Sequence, residues 1–160
     1  MIGGTDPALT DAGNPWLFRF RPNDSYTVRV MADFGGKVLG KKSWAVVHAT
    51  DAFGTSAKTP FMAALKKEGI EPVMVEGQPN NLPDYAAVAL KVKQSGDDVT
   101  AALITYEQDL AIFAKQLQQL GVKLAWVGLP SITTTTARNL AGPTAADNTL
   151  KDEIQLRTII

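Results

Sequence analysis

Four times this chain runs a helix-like stretch into a glycine and then into a short apolar run. The copies read "FGGKVLGKKSWAVVHAT", "MAALKKEGIEPVMVEG", "ALKVKQSGDDVTAALITY" and "AKQLQQLGVKLAWVGL". Each glycine, Gly40, Gly69, Gly96 and Gly121, stands where a helix takes a left-handed C-terminal residue. The apolar runs predict strands at Trp44–His48, Pro72–Val75, Val99–Thr105 and Leu124–Val127. Short strands that are apolar on both faces are those of a parallel sheet covered by helices on each side. The rhythm therefore predicts an α/β fold with a parallel, doubly wound sheet of about four to five strands.

Between the strands, helical spacing places Val28, Met31 and Ala32 on one face, behind a cap at Asp24 or Ser25. Gly35-Gly36 weakens the end of that helix. Pro60 fits a helix only in its first turn, so the next helix is expected to begin at Thr59. Asp84 is expected to cap a helix that packs through Tyr85, Val88 and Val92. Leu110, Phe113, Ala114 and Leu117 mark the inner face of another. Near the N-terminus, Trp16, Phe18 and Phe20 alternate with Leu17, Arg19 and Arg21, which reads as a short strand with its aromatic face buried. A Thr-rich loop leads into a short helix ending at Gly142. The final "PTAADNTLKDEIQLRTII" breaks the rhythm and reads as a strand through Ile154–Ile160 or as a partly ordered tail. The expected organisation is thus a lobe over residues 1–143 and a tail over 144–160.

Composition narrows the function. The chain has 160 residues, with 16 basic and 16 acidic side chains and no charge block, so nothing offers the basic face that nucleic acid requires. No apolar run reaches the ~20 residues of a membrane span. The start "MIGGTDPALT" lacks the basic and apolar regions of a signal peptide. Without cysteine there is no disulfide, thiolate metal site or cysteine nucleophile, and a single histidine excludes a multi-histidine metal cage. No cofactor is expected: the glycine-rich dinucleotide signature is missing at every strand end, and "GKKS" precedes a strand where a phosphate loop would follow one.

In a doubly wound sheet, ligands bind beyond the carboxyl ends of the strands. Four loops qualify: "HATDAFGTS", "EGQPNN", "TYEQD" and "GLPSITTTT". Phe53 offers an aromatic wall there, or plugs the top of the core. Tyr106 offers a ring and a hydroxyl, and Glu107 a charge for an ammonium group; a surface tyrosine that merely begins a helix is the plain alternative. Ser131 and Thr133 to Thr136 offer hydroxyls ahead of a helix, which suits an anion, although ordinary capping is favoured for all but one or two of them. His48 ends its strand at the same edge. No nucleophile signature accompanies it, so a packed, hydrogen-bonded histidine is favoured over a general base.

The segments "NPWLFRFRPNDS", "GKKSWAVVHATDAFGTS", "AALKKEGIEPV", "DYAAVALKVKQSGDDVTAALI", "AKQLQQLGVK" and "TTTARNLAG", in this order, resemble the leucine/isoleucine/valine-type periplasmic binding proteins, type I solute receptors of ABC importers. The resemblance spans about Gly3 to Pro143. It implies one flavodoxin-like lobe of a two-lobed clamp, the second lobe without the first, beginning near "GGTDPALT". By this likeness Phe53 and Tyr106 face the ligand and Thr5 helps hold its carboxylate. The place where amino-acid binders often carry an acidic residue falls at Pro130, beside Ser131, which makes other small carboxylates as well suited as α-amino acids. The likeness further implies a periplasmic or extracellular setting and ABC importer membrane subunits as partners.

The expected function is recognition of a small amino acid or other carboxylate-bearing solute, without catalysis. Phe53, Tyr106, Thr5, Ser131 and Thr133 would form the site, with His48 or Glu107 tuning selectivity. Two other readings compete. One is a flavodoxin-like nucleotide-binding or enzymatic domain using His48 or Asp51. The other is a self-associating module, in which the face turned toward a second lobe pairs with another copy instead.

Overall fold

The apolar runs become four parallel strands in the computed structural model, which describes residues 4–96, 99–103, 106–122 and 125–145. These are β1 (Trp44–Ala49), β2 (Met74–Gln78), β3 (Val99–Leu103) and β4 (Ala125–Gly128), in the order β2-β1-β3-β4. Val46 stands opposite Val75 on one side and Ala101 on the other, and Ala101 in turn faces Val127. A short α1 (Ala8–Asp11) and then α2 (Asp24–Asp33) precede the sheet. The strands are followed in turn by α3 (Ala52–Lys67), α4 (Ala86–Ser95), α5 (Glu107–Gln119) and α6 (Thr135–Ala141). This is the doubly wound, flavodoxin-like arrangement.

Every residue of β1 is buried, because helices cover both of its faces. Successive side chains point to opposite sides of a strand. Ala45 and Val47 accordingly join Val88, Val92, Leu110, Phe113, Leu117 and Trp126 under α4 and α5. Trp44 and Val46 join Val28, Met31, Phe61 and Leu65 under α2 and α3. Each large apolar side chain so buried contributes roughly 1.5–3 kcal/mol relative to exposure. Aromatic contacts anchor both layers: Trp44 meets Phe61 edge-on at 5.8 Å between centroids, and Phe113 meets Trp126 at 5.2 Å.

The four expected glycine turns have φ values of 66, 70, 68 and 72°, the left-handed region that side chains disfavour. The Gly35-Gly36 pair does more than weaken α2. It widens the helix into a π turn at Phe34–Val38, and a Cβ on Gly35 would overlap the Trp44 indole. Gly35 is what lets that tryptophan seat beneath the helix, while Gly36 lies against Ile70.

Several local expectations are corrected. Trp16–Phe20 forms no strand; Trp16 and Phe20 are each 86% exposed. The alternation is present but reversed in sense, for Leu17 and Arg19 are the half-buried positions. Arg19 donates to the carbonyls of Gly4 (3.2 Å) and Asp6 (2.6 Å) and to Thr10 Oγ1 (3.2 Å), tying the arm back onto the start of the chain. The cap of α2 is Asn23, whose side chain accepts from Tyr26 N, because Asp24 turns inward and is buried. Helix α3 begins not at Thr59 but after Asp51, leaving Pro60 inside it. Burial of Ala57, Phe61 and Leu65 along one face carries the helix through the proline.

Smaller shifts follow the same logic. Strand β2 sits later than Pro72–Val75, because backbone pairing continues through Glu76, Gly77 and Gln78 after the apolar run ends. Asp84 accepts from Ala86 N at 3.1 Å, as a cap should, although Tyr85 is the residue flanking α4. Helix α6 ends at Gly142 as expected. Ile104, Thr105 and Leu124 of the expected strands lie outside the described residues, as do residues 146–160, where both readings of the tail fall. Ala145 is buried in the α4–α5 layer.

Candidate ligand-binding edge

The chain leaves β1 toward β2 on one side, then crosses back to place β3 on the other. The loops after β1 and β3 therefore diverge, and the crevice between them is where such sheets bind ligands. One carboxylate spans it. Asp51, just past β1, caps α3 by accepting from Gly54 N at 2.8 Å. Its other oxygen accepts from Asn80 Nδ2 at 2.8 Å and from the Tyr106 hydroxyl at 3.2 Å. The loops after β1, β2 and β3 thus meet on a single side chain. Partial burial would raise the Asp51 pKa, but these hydrogen bonds outweigh it and hold the carboxyl below its ordinary value. The same bond to Asp51, together with its charge, raises the Tyr106 phenol.

The tight approach of Asp51 depends on Gly54. A Cβ at that position would overlap the Ala49 carbonyl, so only glycine lets the first turn of α3 fold back onto the end of β1. The loop after β2 has its own anchor in Asp109, in the first turn of α5. Asp109 is 1% exposed, and its oxygens accept from Asn81 N at 3.1 and 3.2 Å. Asn81 adopts a left-handed φ of 58°, a conformation asparagine tolerates. The Tyr85 hydroxyl donates to Pro79 O at 3.2 Å, and Tyr85 N donates to Gln116 Oε1 at 2.7 Å. Burial first, then the Asp109 charge, pushes the Tyr85 phenol well above its ordinary range.

A second carboxylate organises the N-terminal arm. Asp24 is 2% exposed at the start of α2, and its N–H donates to Thr5 O at 2.9 Å. Its carboxylate accepts from the Thr5 and Ser56 hydroxyls, the latter at 3.4 Å. Burial raises the Asp24 pKa despite those bonds and the nearby Arg19 charge. The Ser56 hydroxyl has one proton, which lies between Asp24 Oδ2 and Phe53 O, closer to the latter at 2.9 Å, and so links this arm to the loop after β1.

The expected site residues take different stations. Tyr106 stands 46% exposed over the crevice. Phe53 is half-buried and packs on the α2–α3 layer, so it partly plugs the core top as the plainer reading had it. Thr5 lies near this edge, but its one hydroxyl proton is directed at Asp24. His48 is buried at 7% exposure, and its Nδ1 lies 2.8 Å from Ala49 O. A carbonyl can only accept, which places a proton on Nδ1 and makes this the packed, hydrogen-bonded histidine. Its ring lies against Gly77, where a Cβ would approach within 3.0 Å. Glu107 is half-buried in the first turn of α5.

Ser131 and Thr133 fall in a 3-10 turn, Pro130–Thr133, beyond β4. The next residue, Thr134, caps α6 by accepting from Ala137 N at 3.1 Å while its hydroxyl donates to Ser131 O at 3.2 Å. One hydroxyl of the run is therefore a cap. The described contacts bring together Asp51, Asn80 and Tyr106, and separately Thr5, Asp24, Ser56 and Phe53. Away from this edge, a groove of about 500 Å³ lies between α2 and α3. Its Lys37 pairs with Asp33 and Glu68, each at 2.9 Å.

Fold and crevice together define an α/β lobe of the doubly wound class, with its candidate edge at the switch between β1 and β3. The sequence profile of the periplasmic binding protein family matches residues 1–151, and the chain belongs to that family. A Leu/Ile/Val-binding protein homolog of Brucella melitensis is 30% identical over 141 residues, covering 88% of this chain and 38% of that protein. An amino acid binding protein of Pseudomonas aeruginosa is 32% identical over 97 residues, covering 61% of this chain and 26% of its own length. The crystal structure of a periplasmic binding protein type 1 from Bordetella pertussis superposes with a TM-score of 0.80 at 20% identity, over 92% of this chain and 40% of that one. This last likeness shows the fold alone. The chain spans about a quarter to two fifths of the length of these proteins. The family is one of solute-binding proteins rather than enzymes, which agrees with the reading against catalysis. No helix among the described residues is long and apolar enough to cross a membrane.

Proposed function

We propose that this chain is one lobe, the second, of an ABC importer's solute-binding protein, recognising a small amino acid or other carboxylate-bearing solute in the periplasm. The observation that carries this reading is the junction of three strand-end loops on Asp51, with Tyr106 presented over the crevice of a family-matched lobe. Phe53 and Tyr106 form the aromatic side of the site, and Thr5, Ser131 and Thr133 its hydroxyl side. His48 acts from beneath and Glu107 from the start of α5. The importer's membrane subunits are the partners. Amino acids lead among solutes because two relatives are named for binding them.

Most of a ligand's surface is buried only when two lobes close on it. The isolated chain should therefore bind weakly, in the millimolar range. Nitrogen-15 NMR titration with amino and organic acids should move resonances at Asp51, Phe53, Asn80 and Tyr106. Calorimetry giving micromolar or tighter affinity would overturn the single-jaw reading, and unmoved strand-end resonances at saturating solute would overturn the solute reading. Trp16 and Phe20 stand in water, which favours a covering surface supplied by the other lobe. A dimer in light scattering would assign that covering to a second copy.

A further inference from the structure

A tyrosine hydroxyl has one proton, and in Tyr106 it is donated to Asp51 Oδ2. An ionised carboxylate can only accept, so this bond has one direction. Asp51 cannot turn away, because its other oxygen holds Gly54 N at 2.8 Å and Oδ2 also holds Asn80 Nδ2 at 2.8 Å. Asn80 is fixed in turn by the bonds of Asn81 N to the buried Asp109. What remains for a solute on the 46% exposed Tyr106 is the ring and the oxygen's lone pairs. The phenol oxygen therefore faces the crevice as an acceptor, with a negative charge behind it.

Resting on the solute-binding reading above, we propose that the Asp51–Asn80–Tyr106 cluster makes Tyr106 an acceptor-only contact. It would select solutes bearing an ammonium or other N–H donor over matching solutes that carry a carbonyl oxygen there. An ammonium group brings three donors and no acceptor, and it is drawn by the Asp51 charge as well. A keto oxygen at the same point sets acceptor against acceptor and leaves the phenol oxygen unpaired. Asp51 acts here as a positioning residue, through Tyr106.

The test compares L-leucine with 4-methyl-2-oxopentanoate, which share carbon skeleton and carboxylate and differ at the amino or keto carbon. NMR titration of the full chain should give leucine an advantage of about tenfold, the scale of one charge-assisted hydrogen bond. In Tyr106→Phe the ratio should fall toward one. Asp51→Asn still caps α3 but can donate as well as accept, which frees the phenol to turn, so it should also lower the ratio. A readout independent of any solute is the titration of the Tyr106 ring carbon beside the hydroxyl, assigned with Tyr106→Phe. The phenol should ionise at higher pH in the parent chain than in Asp51→Asn.

A keto acid that binds as well as leucine, or a ratio unmoved in both variants, overturns the inference and leaves the solute reading standing. An unmoved phenol titration in Asp51→Asn also overturns it. If neither solute shifts any strand-end resonance, the solute reading falls and the inference falls with it.

Discussion

Asp24 and Asp51 occupy comparable places, each at the N-terminal end of a helix on the same side of the sheet, and their carboxyl groups move in opposite directions. Asp24 is sealed under the N-terminal arm, and burial outweighs the hydroxyls of Thr5 and Ser56, so its pKa rises. Asp51 stays partly open to water, and hydrogen bonds from Gly54, Asn80, Tyr106 and Phe53 outweigh burial, so its pKa falls. The helix N-terminus favours the charged form of both. The difference is solvent access and the number of donors, and it separates two roles. Asp24 ties the N-terminal arm to α3, and Asp51 joins the loops after β1, β2 and β3.

The contrast can be broken most forcefully through Gly54, whose N–H the Asp51 carboxylate accepts, while the carboxylate itself is kept. Gly54→Ala drives a Cβ against the Ala49 carbonyl and should cost about 1–3 kcal/mol or more, read as a lowered urea midpoint at unchanged slope. Only if the backbone relaxed freely would the midpoint stay in place. Next in size come the two alanine variants. Asp24→Ala removes a buried carboxylate that the Thr5 and Ser56 hydroxyls face and should cost about 1–3 kcal/mol. Asp51→Ala removes a helix cap, for about 1 kcal/mol. A larger loss at Asp51 than at Asp24 would reverse the assignment of interior and edge roles.

The smallest effect is the most diagnostic. The folded chain binds a proton at Asp24 more tightly than the unfolded chain does. Its contribution is therefore full below the unfolded pKa of about 4 and is lost as pH rises through the higher folded value. For Asp51 the sign is opposite. Its contribution is present above about pH 4 and is lost as pH falls through the lower folded value. Melting temperature against pH should accordingly flatten above that point in Asp24→Asn and below it in Asp51→Asn. Flattening on the same side in both variants would contradict the comparison.

Much of the fold was legible because it is written locally. The glycine turns need only a left-handed residue after an apolar face, and all four appear where the pattern put them. Chain starts were harder to read. Asp24 looks like a cap by residue type, yet Thr5 and Ser56, distant in sequence, draw it inward and leave capping to Asn23. The aromatic run at Trp16–Phe20 alternates as read, but with its faces exchanged: the rings stand in water, and Arg19 fills an inward position through its bonds to the start of the chain.

At the candidate edge, the position of Tyr106 after a strand was legible in the sequence. Its hydrogen-bond direction was not, because it depends on a residue 55 positions away. Asn80 lies 29 positions from the carboxylate it grips, and in the sequence it was only part of a polar loop. Its neighbour Asn81 carried the better clue, since an Asn-Asn pair ahead of a helix tolerates the left-handed turn that aims the loop.

The strand order has a consequence for how the lobe is made. The innermost strand, β1, pairs with β2 soon after both exist, but its other edge stays open until Val99–Leu103 is synthesised. A nascent chain thus exposes the unpaired backbone edge of a largely apolar strand through the whole of β2 and α4. Parallel pairings of this kind close late, since their loop entropy is spent before the contact forms. The growing chain therefore passes through a stage in which β1 is half-paired and open to other strands, and the arrival of β3 ends that exposure.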